Sequence, residues 1–259
     1  MNIKDISTQL LFSTAPIVCE TDESISTGTA FFFSYGLEDG SNVPLLITSK
    51  HVVENAKRGF FEINLAKDGM PQSESLRVNF SDGFFSSNGL EELDIAVAPI
   101  APALSFMEKN GKAAFYRSVD KGLIPSKKNM SDLAALEEIT FIGYPSGLYD
   151  EKNKTPLIRR GITATPIWND YQGEKAFLID ASVFPGSSGS PVFIFNQGSY
   201  STGDGIVIGS RLYFVGVVSQ TIVRNGKEYL DLGKVVRSDA ISVRLKDYVS
   251  GLLDRSRAE

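Results

Sequence analysis

The sequence of 259 residues contains one cysteine, Cys19, and one histidine, His51. A single cysteine excludes an internal disulfide, and because secreted proteins of this size often carry several, it favours a reducing compartment. Cys19 lies in an apolar stretch and is predicted to be a small buried hydrophobe rather than a nucleophile. Any chemistry that needs an imidazole base must use His51, since the sequence offers no other.

Long apolar runs and an excess of basic residues are also missing. No run approaches the roughly 18 apolar residues that span a bilayer, and residues 1–20 carry no apolar core with a small-residue cleavage site. We therefore expect a cytoplasmic protein that makes no membrane contact. The formal net charge is −5, so the composition does not indicate a nucleic-acid partner.

Most of the sequence has the pattern of short β-strands bounded by Gly, Asn, Asp, Ser and Pro. Six candidate strands precede a polar segment at about residues 103–138, and six follow it. This arrangement predicts an all-β protein with two six-stranded antiparallel barrels. The expected units are an N-terminal barrel at residues 1–110 and a C-terminal barrel at residues 111–259, which together form one functional unit.

Two segments are predicted to be helical. Ser131 can cap a short helix at residues 132–138. At the C-terminus, apolar residues recur at helical spacing and share one face, and Ser238 or Asp239 can cap the segment; the apolar residues are Ile241, Leu245, Val249 and Leu252. We expect this tail to be a helix that closes the second barrel.

The most informative motif is Gly-x-Ser-Gly-x-Pro, which begins at Gly186 and places Ser188 in its third position. Glycine adopts backbone conformations that are closed to residues with a Cβ atom. The N–H groups of Gly186 and Ser188 can therefore point into one pocket, where they would stabilise an oxyanion. Ser187 and Ser190 are nucleophiles by type but lack this glycine pattern. The alternative interpretation of the motif is a Ser- and Gly-rich surface loop.

A serine hydroxyl is a weak nucleophile until a neighbouring base takes its proton. His51 follows an apolar strand at residues 45–48 and is the candidate base. Asp94 directly precedes the apolar strand at residues 95–97, so its carboxylate can orient the imidazole and stabilise the imidazolium. The alternatives are a structural histidine and an aspartate that caps a turn.

The order His51, Asp94, Ser188 is the order found in chymotrypsin-like enzymes. Segments 28–32, 47–53, 93–97 and 186–191 resemble the corresponding segments of the chymotrypsin-like (trypsin-fold) serine peptidases. The resemblance is greatest to bacterial trypsin-like peptidase domains and to HtrA-type protease domains. It implies a double β-barrel with the active site in the cleft between the barrels, and it implies neither a cofactor nor a metal ion.

The same resemblance suggests where a substrate would bind. It places Ser182 at the base of the primary specificity pocket and Ser219, Gln220 and Thr221 along its wall, and it implies a hydrogen bond from Ser219 to Asp94. Since residue 182 is not acidic, a preference for Arg or Lys is not supported. We expect a small or uncharged residue in this pocket.

Two residues depart from the family pattern. Ser187 stands where zymogen-activated members carry an acid that pairs with a newly formed N-terminal ammonium. We therefore expect activity without N-terminal cleavage. Ser190 stands where many members have glycine, and its side chain could reshape the cleft.

These observations predict a serine endopeptidase that hydrolyses protein or peptide substrates through a His-Asp-Ser triad and an acyl-enzyme intermediate. The alternative is a catalytically silent peptide-binding module with the same fold. A hydrolase of small esters is a third hypothesis. The sequence leaves open the natural substrate, the oligomeric state and whether a regulatory partner protein exists.

Overall fold

The fold is taken from a computed structural model, which describes residues 2–203, 205–224 and 227–258. The strands are β1 (Thr14–Glu20), β2 (Ile25–Gly36), β3 (Asn42–Ser49), β4 (Arg58–Lys67), β5 (Met70–Ser81), β6 (Ile95–Pro99), β7 (Ala113–Phe115), β8 (Val119–Asp120), β9 (Glu138–Gly143), β10 (Leu157–Thr163), β11 (Ala176–Asp180), β12 (Pro191–Asn196), β13 (Ser199–Thr202), β14 (Gly205–Ile208), β15 (Arg211–Arg224) and β16 (Lys227–Arg237). The α-helices are α1 (Ile6–Leu10), α2 (Lys50–Val53), α3 (Ala101–Lys109), α4 (Lys127–Ser131) and α5 (Ser238–Ala258).

The C-terminal half forms a closed barrel of six strands, in the order β10-β11-β16-β15-β12-β9. The prediction of a six-stranded barrel is confirmed for this half of the protein. The hairpin β13–β14 forms a separate two-stranded sheet, and the side chains of Ile206 and Ile208 on it are exposed. No strand was predicted for this hairpin.

The N-terminal half is an eight-stranded sheet along the path β5-β4-β1-β2-β3-β6, to which β7 and β8 add by pairing with β4 and β2. The predicted closed barrel of six strands is not confirmed here. Among the described residues, the two ends of this path meet only at one antiparallel bridge, between Ser86 and Val97. The segment after β5 pairs with β6 through a single residue and not through a strand, so the sheet is not closed into a barrel by a full strand pair. Strands β7 and β8 belong to this sheet although they lie beyond the predicted domain boundary at residue 110.

A continuous core joins the two sheets. Phe31 on β2 packs against Phe214 on β15 with a distance of 5.4 Å between the ring centroids, and Phe214 is 5.8 Å from Phe193 on β12. All three rings are buried. Buried aromatic contacts of this kind contribute strongly to stability, so they fix one sheet relative to the other.

Helix α5 begins at Ser238, one of the two residues expected to cap it. On its predicted apolar face Ile241, Leu245 and Val249 are buried and Leu252 is half-buried. The helix contacts more than the second barrel, because the Tyr248 hydroxyl donates to the Val97 carbonyl of β6 at 3.4 Å. The helix predicted at residues 132–138 is wrong. The Ser126 side chain caps α4 instead, and that helix ends at Ser131. None of the described helices has the length and apolar character needed to cross a membrane.

Candidate active site

His51 and Asp94 are brought together by the pairing of β3 with β6. The last pair of this ladder joins Ser49 to Ile95, so the next residues on one strand lie beside the residue that precedes the other. His51 lies in α2, a single turn that follows β3, and its backbone N–H donates to Asp94 Oδ1 at 3.0 Å. The Lys50 N–H donates to the Asp94 carbonyl oxygen at 2.9 Å.

The Asp94 carboxylate is the centre of this cluster. Its Oδ2 lies 2.8 Å from His51 Nδ1 and accepts a hydrogen bond of 2.6 Å from the Ser219 hydroxyl, the contact that the resemblance implied. Burial would raise the pKa of Asp94, but the hydrogen bonds from His51 and Ser219 outweigh it and lower the pKa. Asp94 is therefore an ionised carboxylate that can hold one imidazole orientation.

Asp94 reaches this position through an uncommon backbone conformation. Its φ angle is +55°, in the left-handed region, where it ends a short 3₁₀ turn at Glu91–Leu93. Asp is one of the few residues other than glycine that enter this region readily. The reversal directs the carboxylate toward α2 while β6 continues into the core.

Ser188 is connected to the same cluster through Ser219. The Ser188 hydroxyl donates to the Ser219 carbonyl oxygen at 2.9 Å, and the Ser219 side chain donates to Asp94. Within the described part of the chain, Ser188 Oγ makes no hydrogen bond to His51. A rotation about the Cα–Cβ bond of Ser188 would redirect the hydroxyl, since side chains move between staggered rotamers.

The loop that carries Ser188 is held by its carbonyl groups. Every carbonyl oxygen from Ser182 to Ser188 accepts a hydrogen bond, and the donors are in order Arg159 Nη1, Thr221 Oγ1, Ser187 N, Ser146 N, Thr29 Oγ1, Ser190 N and Thr29 N. The N–H groups of Gly186 and Ser188 have no acceptor among the described residues. Two such donors close together in the chain can bind an oxyanion.

The peptide that precedes Gly186 has a fixed orientation. The Ser146 N–H donates to the Pro185 carbonyl oxygen, and in a trans peptide the N–H of the next residue points to the opposite side. The Gly186 N–H is therefore held facing away from Ser146. Neither Thr29 nor Ser146 was predicted as part of the site; Thr29 lies in the segment 28–32 that carries the family resemblance, whereas Ser146 has no marking motif.

Two glycines are required by the close approach of this loop to its neighbours. Gly186 and Gly189 have φ angles of +88° and +90°. A Cβ atom at Gly189 would lie 1.9 Å from the Thr29 carbonyl oxygen, and one at Gly186 would lie 2.5 Å from the Tyr144 carbonyl oxygen. Both positions therefore exclude a side chain.

The residues expected to bind substrate are only partly gathered in one place. Thr221 Oγ1 donates to the Val183 carbonyl oxygen at 2.8 Å, which places Thr221 beside the segment that contains Ser182. Ser219 is buried under Asp94, and Gln220 is exposed. A groove of about 860 Å³ is lined by Asp94, Ser219 and residues of α5 but not by Ser188 or His51, so it flanks the candidate site.

Cys19 takes no part in the cluster. It is buried, as predicted, and burial raises the pKa of its thiol to about 12. The thiol is therefore protonated and unreactive at neutral pH. Among the residues the structure describes, no group of three His, Cys, Asp or Glu side chains could hold a metal ion.

The family model described as the trypsin-like peptidase domain matches residues 28–200, more than half of the chain. The chain belongs to this family. The matched span contains His51, Asp94 and Ser188, whereas the C-terminal part of the barrel and α5 extend beyond it. A comparison with the sequences of curated proteins gave no match.

Solved structures show the same fold as this trypsin-like peptidase domain. The HtrA-type protease AlgW, solved with a tripeptide, has 16% identity and a TM-score of 0.52 over 91% of this chain and 60% of the AlgW chain. The serine endoprotease from Yersinia pestis has 14% identity and a TM-score of 0.50, covering 92% of this chain and 63% of its own. The thermostable serine protease AL20, from an extremophilic microorganism, has 13% identity and a TM-score of 0.51, covering 90% and 95%. The chain thus spans about 60% of the length of AlgW.

The contact between Gly189 and Thr29 in this trypsin-like peptidase domain can be tested by adding one methyl group. Gly189→Ala should destabilise the protein by more than about 4 kcal/mol, because the Cβ atom would collide with a main-chain carbonyl. Gly198→Ala is the matched control, since Gly198 has a φ angle of +86° but open space around it. Its cost should be about 1–3 kcal/mol of backbone strain.

Urea denaturation of both variants measures the difference. Equal losses of unfolding free energy would show that the positive φ angle alone requires glycine and that the contact with Thr29 contributes nothing.

Proposed function

We propose that this chain is a serine endopeptidase in which Ser188 is the nucleophile, His51 the general base and Asp94 the group that orients the base. The observation that carries the proposal is the orientation of His51 by Asp94, whose carboxylate oxygens hold the imidazole Nδ1 and the backbone N–H of His51. Membership of the trypsin-like peptidase domain family supports the same activity.

In the proposed reaction, the Ser188 hydroxyl leaves the Ser219 carbonyl, gives its proton to His51 Nε2 and attacks the substrate carbonyl carbon. The oxygen of the tetrahedral intermediate accepts hydrogen bonds from the N–H groups of Gly186 and Ser188. His51 then passes the proton to the leaving amine, and an acyl-enzyme forms. A water molecule, deprotonated by His51, releases the acyl group from Ser188.

In the proposed enzyme, each of the two predicted units supplies part of the catalytic machinery. The unit at residues 1–110 supplies the base and its carboxylate, and the unit at residues 111–259 supplies the nucleophile and the oxyanion donors. Ser182, Ser219, Gln220 and Thr221 are proposed to bind the substrate, with a small or uncharged side chain in the primary pocket. The proposed compartment is the cytoplasm, on the grounds that the only cysteine is unpaired and buried.

One observation favours the alternative, a peptide-binding module without activity. The Ser188 hydroxyl is bonded to the Ser219 carbonyl oxygen and not to His51. An active-site-directed fluorophosphonate distinguishes the two functions, because it reacts only with a serine whose proton can be removed. Stoichiometric labelling of Ser188 would exclude the silent module.

The three proposed catalytic residues should act as a unit. Ser188→Ala and His51→Ala should each lower kcat by several orders of magnitude, and combining them should cost little more, because neither residue is useful without the other. Asp94→Asn should lower kcat about 10⁴-fold through the wrong imidazole tautomer. Hydrolysis of a fluorogenic peptide library measures all of these rates. Comparable rates for the wild type and His51→Ala would exclude the triad.

The pH dependence of kcat/KM should have one limb on the acidic side, set by His51. Protonated His51 cannot accept the Ser188 proton, so activity should rise with pH on the acidic side. The lowered pKa of Asp94 keeps that carboxylate ionised over the whole limb. Rates at constant ionic strength, with circular dichroism to verify folding, test this. A flat profile on a folded protein would contradict a histidine base.

Activity should not require a free N-terminus at any particular residue. Ser187 is buried, and its hydroxyl has no hydrogen-bond partner among the described residues. It carries no charge to bind an inserted ammonium, and an unpaired buried ammonium would cost several kcal/mol. A protein with a stable tag ahead of Met1 should therefore match the untagged protein in kcat/KM.

The contrary result would be a tagged protein that is inert until a protease exposes a new N-terminus. If both forms were inert and a partner protein activated them equally, the absence of zymogen cleavage would still hold.

A further inference from the structure

We infer that Arg159 is a positioning residue that fixes the loop in front of Ser188. The inference rests on the proposed function for its catalytic consequence but not for its structural one. Arg159 lies on β10 of the second barrel, far in sequence from the nucleophile, and no motif marks it. Its effect would be transmitted through the main chain of Ser182 to the two oxyanion donors.

The Arg159 guanidinium contacts the loop in two ways. Its Nη1 donates a hydrogen bond to the Ser182 carbonyl oxygen. The guanidinium carbon also lies 5.0 Å from the ring centroid of Phe184 and 5.3 Å from that of Phe141. One side chain thus holds both the start of the loop and the residue that precedes Pro185.

Arg159 lies on the part of β10 that extends beyond the pairing of this strand with β11. Strand β10 pairs with β11 only at Ile162–Asp180 and Thr163–Ile179. Beyond Asp180 the chain leaves the sheet and becomes the nucleophile loop. On its other side β10 remains paired with β9, and Arg159 is directly opposite Phe141. The side chain of Arg159 therefore shares a face with a core residue and spans the gap between β10 and the loop.

Arg159 forms no salt bridge with an acidic side chain of the described residues. Among the side chains the structure describes, no carboxylate lies within salt-bridge distance of it, whereas the neighbouring Arg160 pairs with Glu138 at 2.6 Å. A guanidinium that is free of carboxylates can bond main-chain carbonyls and stack on aromatic rings. Hydrogen bonds from a charged donor are roughly twice as strong as neutral ones, so this contact suits a fixing role.

The consequence for chemistry follows from the connectivity of the loop. The Val183 carbonyl oxygen is held by Thr221 at 2.8 Å, so Arg159 and Thr221 together fix two successive peptides. Three residues later the Gly186 N–H must lie within hydrogen-bond distance of the developing oxyanion. Without Arg159 the Ser182 carbonyl would lose its hydrogen bond and the first peptide of the loop could move. The N–H groups of Gly186 and Ser188 would then be less well placed to bind the oxyanion in the transition state.

The test compares Arg159→Ala with Arg160→Ala, an exposed control one residue away. Hydrogen–deuterium exchange should rise in Arg159→Ala for the amides of residues 182–190 and remain unchanged in β12, whereas the control should resemble the wild type. Fluorophosphonate labelling of Ser188 and kcat should fall about 10- to 100-fold, as expected for catalytic groups misplaced by a distant change, with KM altered less than about threefold.

Two further variants separate the hydrogen bond from packing. Arg159→Met keeps an unbranched apolar side chain against Phe141 and Phe184 but cannot donate, so it should behave like Arg159→Ala. Arg159→Lys retains a charged donor and should recover part of both the exchange protection and kcat. These variants also keep the test valid if Arg159→Ala does not fold.

The outcomes are distinguishable. Unchanged exchange at residues 182–190 in Arg159→Met would overturn the inference whatever the activity. A wild type that neither labels nor cleaves would refute the proposed peptidase, while the exchange data would still decide the structural claim. If Arg159→Met instead lost a preference for Asp or Glu next to the scissile bond, with unchanged exchange, Arg159 would be a specificity residue and the inference would be wrong.

Discussion

The candidate site depends on the way in which Thr29 is bonded. Its N–H donates to the Ser188 carbonyl oxygen at 2.9 Å, and its hydroxyl donates to the Gly186 carbonyl oxygen at 2.9 Å. The same hydroxyl accepts from the Tyr144 N–H at 3.0 Å, and its own carbonyl oxygen accepts from Thr48 at 2.7 Å. One residue of the first sheet therefore bonds the nucleophile loop at two carbonyl groups, and these contacts join the half of the protein that carries His51 to the loop that carries Ser188.

Around that fixed point, burial and hydrogen bonding act in opposite directions on the Asp94 carboxylate. Removing a carboxylate from water favours its neutral form, whereas donors directed at it favour the charged form. Here two side chains and one main-chain N–H converge on Asp94 and lower its pKa. The site thus holds a negative charge close to a single imidazole, which is the arrangement that the family chemistry needs.

The sequence predicted the features that are encoded locally. Gly186 and Gly189 mark the loop because backbone conformations with positive φ need glycine, and the apolar spacing from Ile241 to Val249 marks α5 because a helix has a fixed period. The closed second barrel also followed from the number and spacing of its strands. Features that depend on distant partners could not be predicted in this way. The bridge at Ser86, the hairpin β13–β14 and the contact of Arg159 with Ser182 each depend on residues that no local pattern connects. The domain boundary at residue 110 was predicted from turn-forming residues. That local pattern does not indicate that the next two strands, β7 and β8, pair with β4 and β2 of the first sheet.

The free donors at Gly186 and Ser188 belong to the main chain, and this has a consequence for the genetics of the protein. Every substitution except one to proline leaves the peptide N–H in place, so few missense changes can delete these donors. The groups that fix them include the side chains of Thr29, Thr221 and Arg159, all of which are open to mutation. Outside the three proposed catalytic residues, inactivating substitutions should therefore concentrate at the loop glycines and in this surrounding layer, in positions scattered along the sequence but adjacent in space.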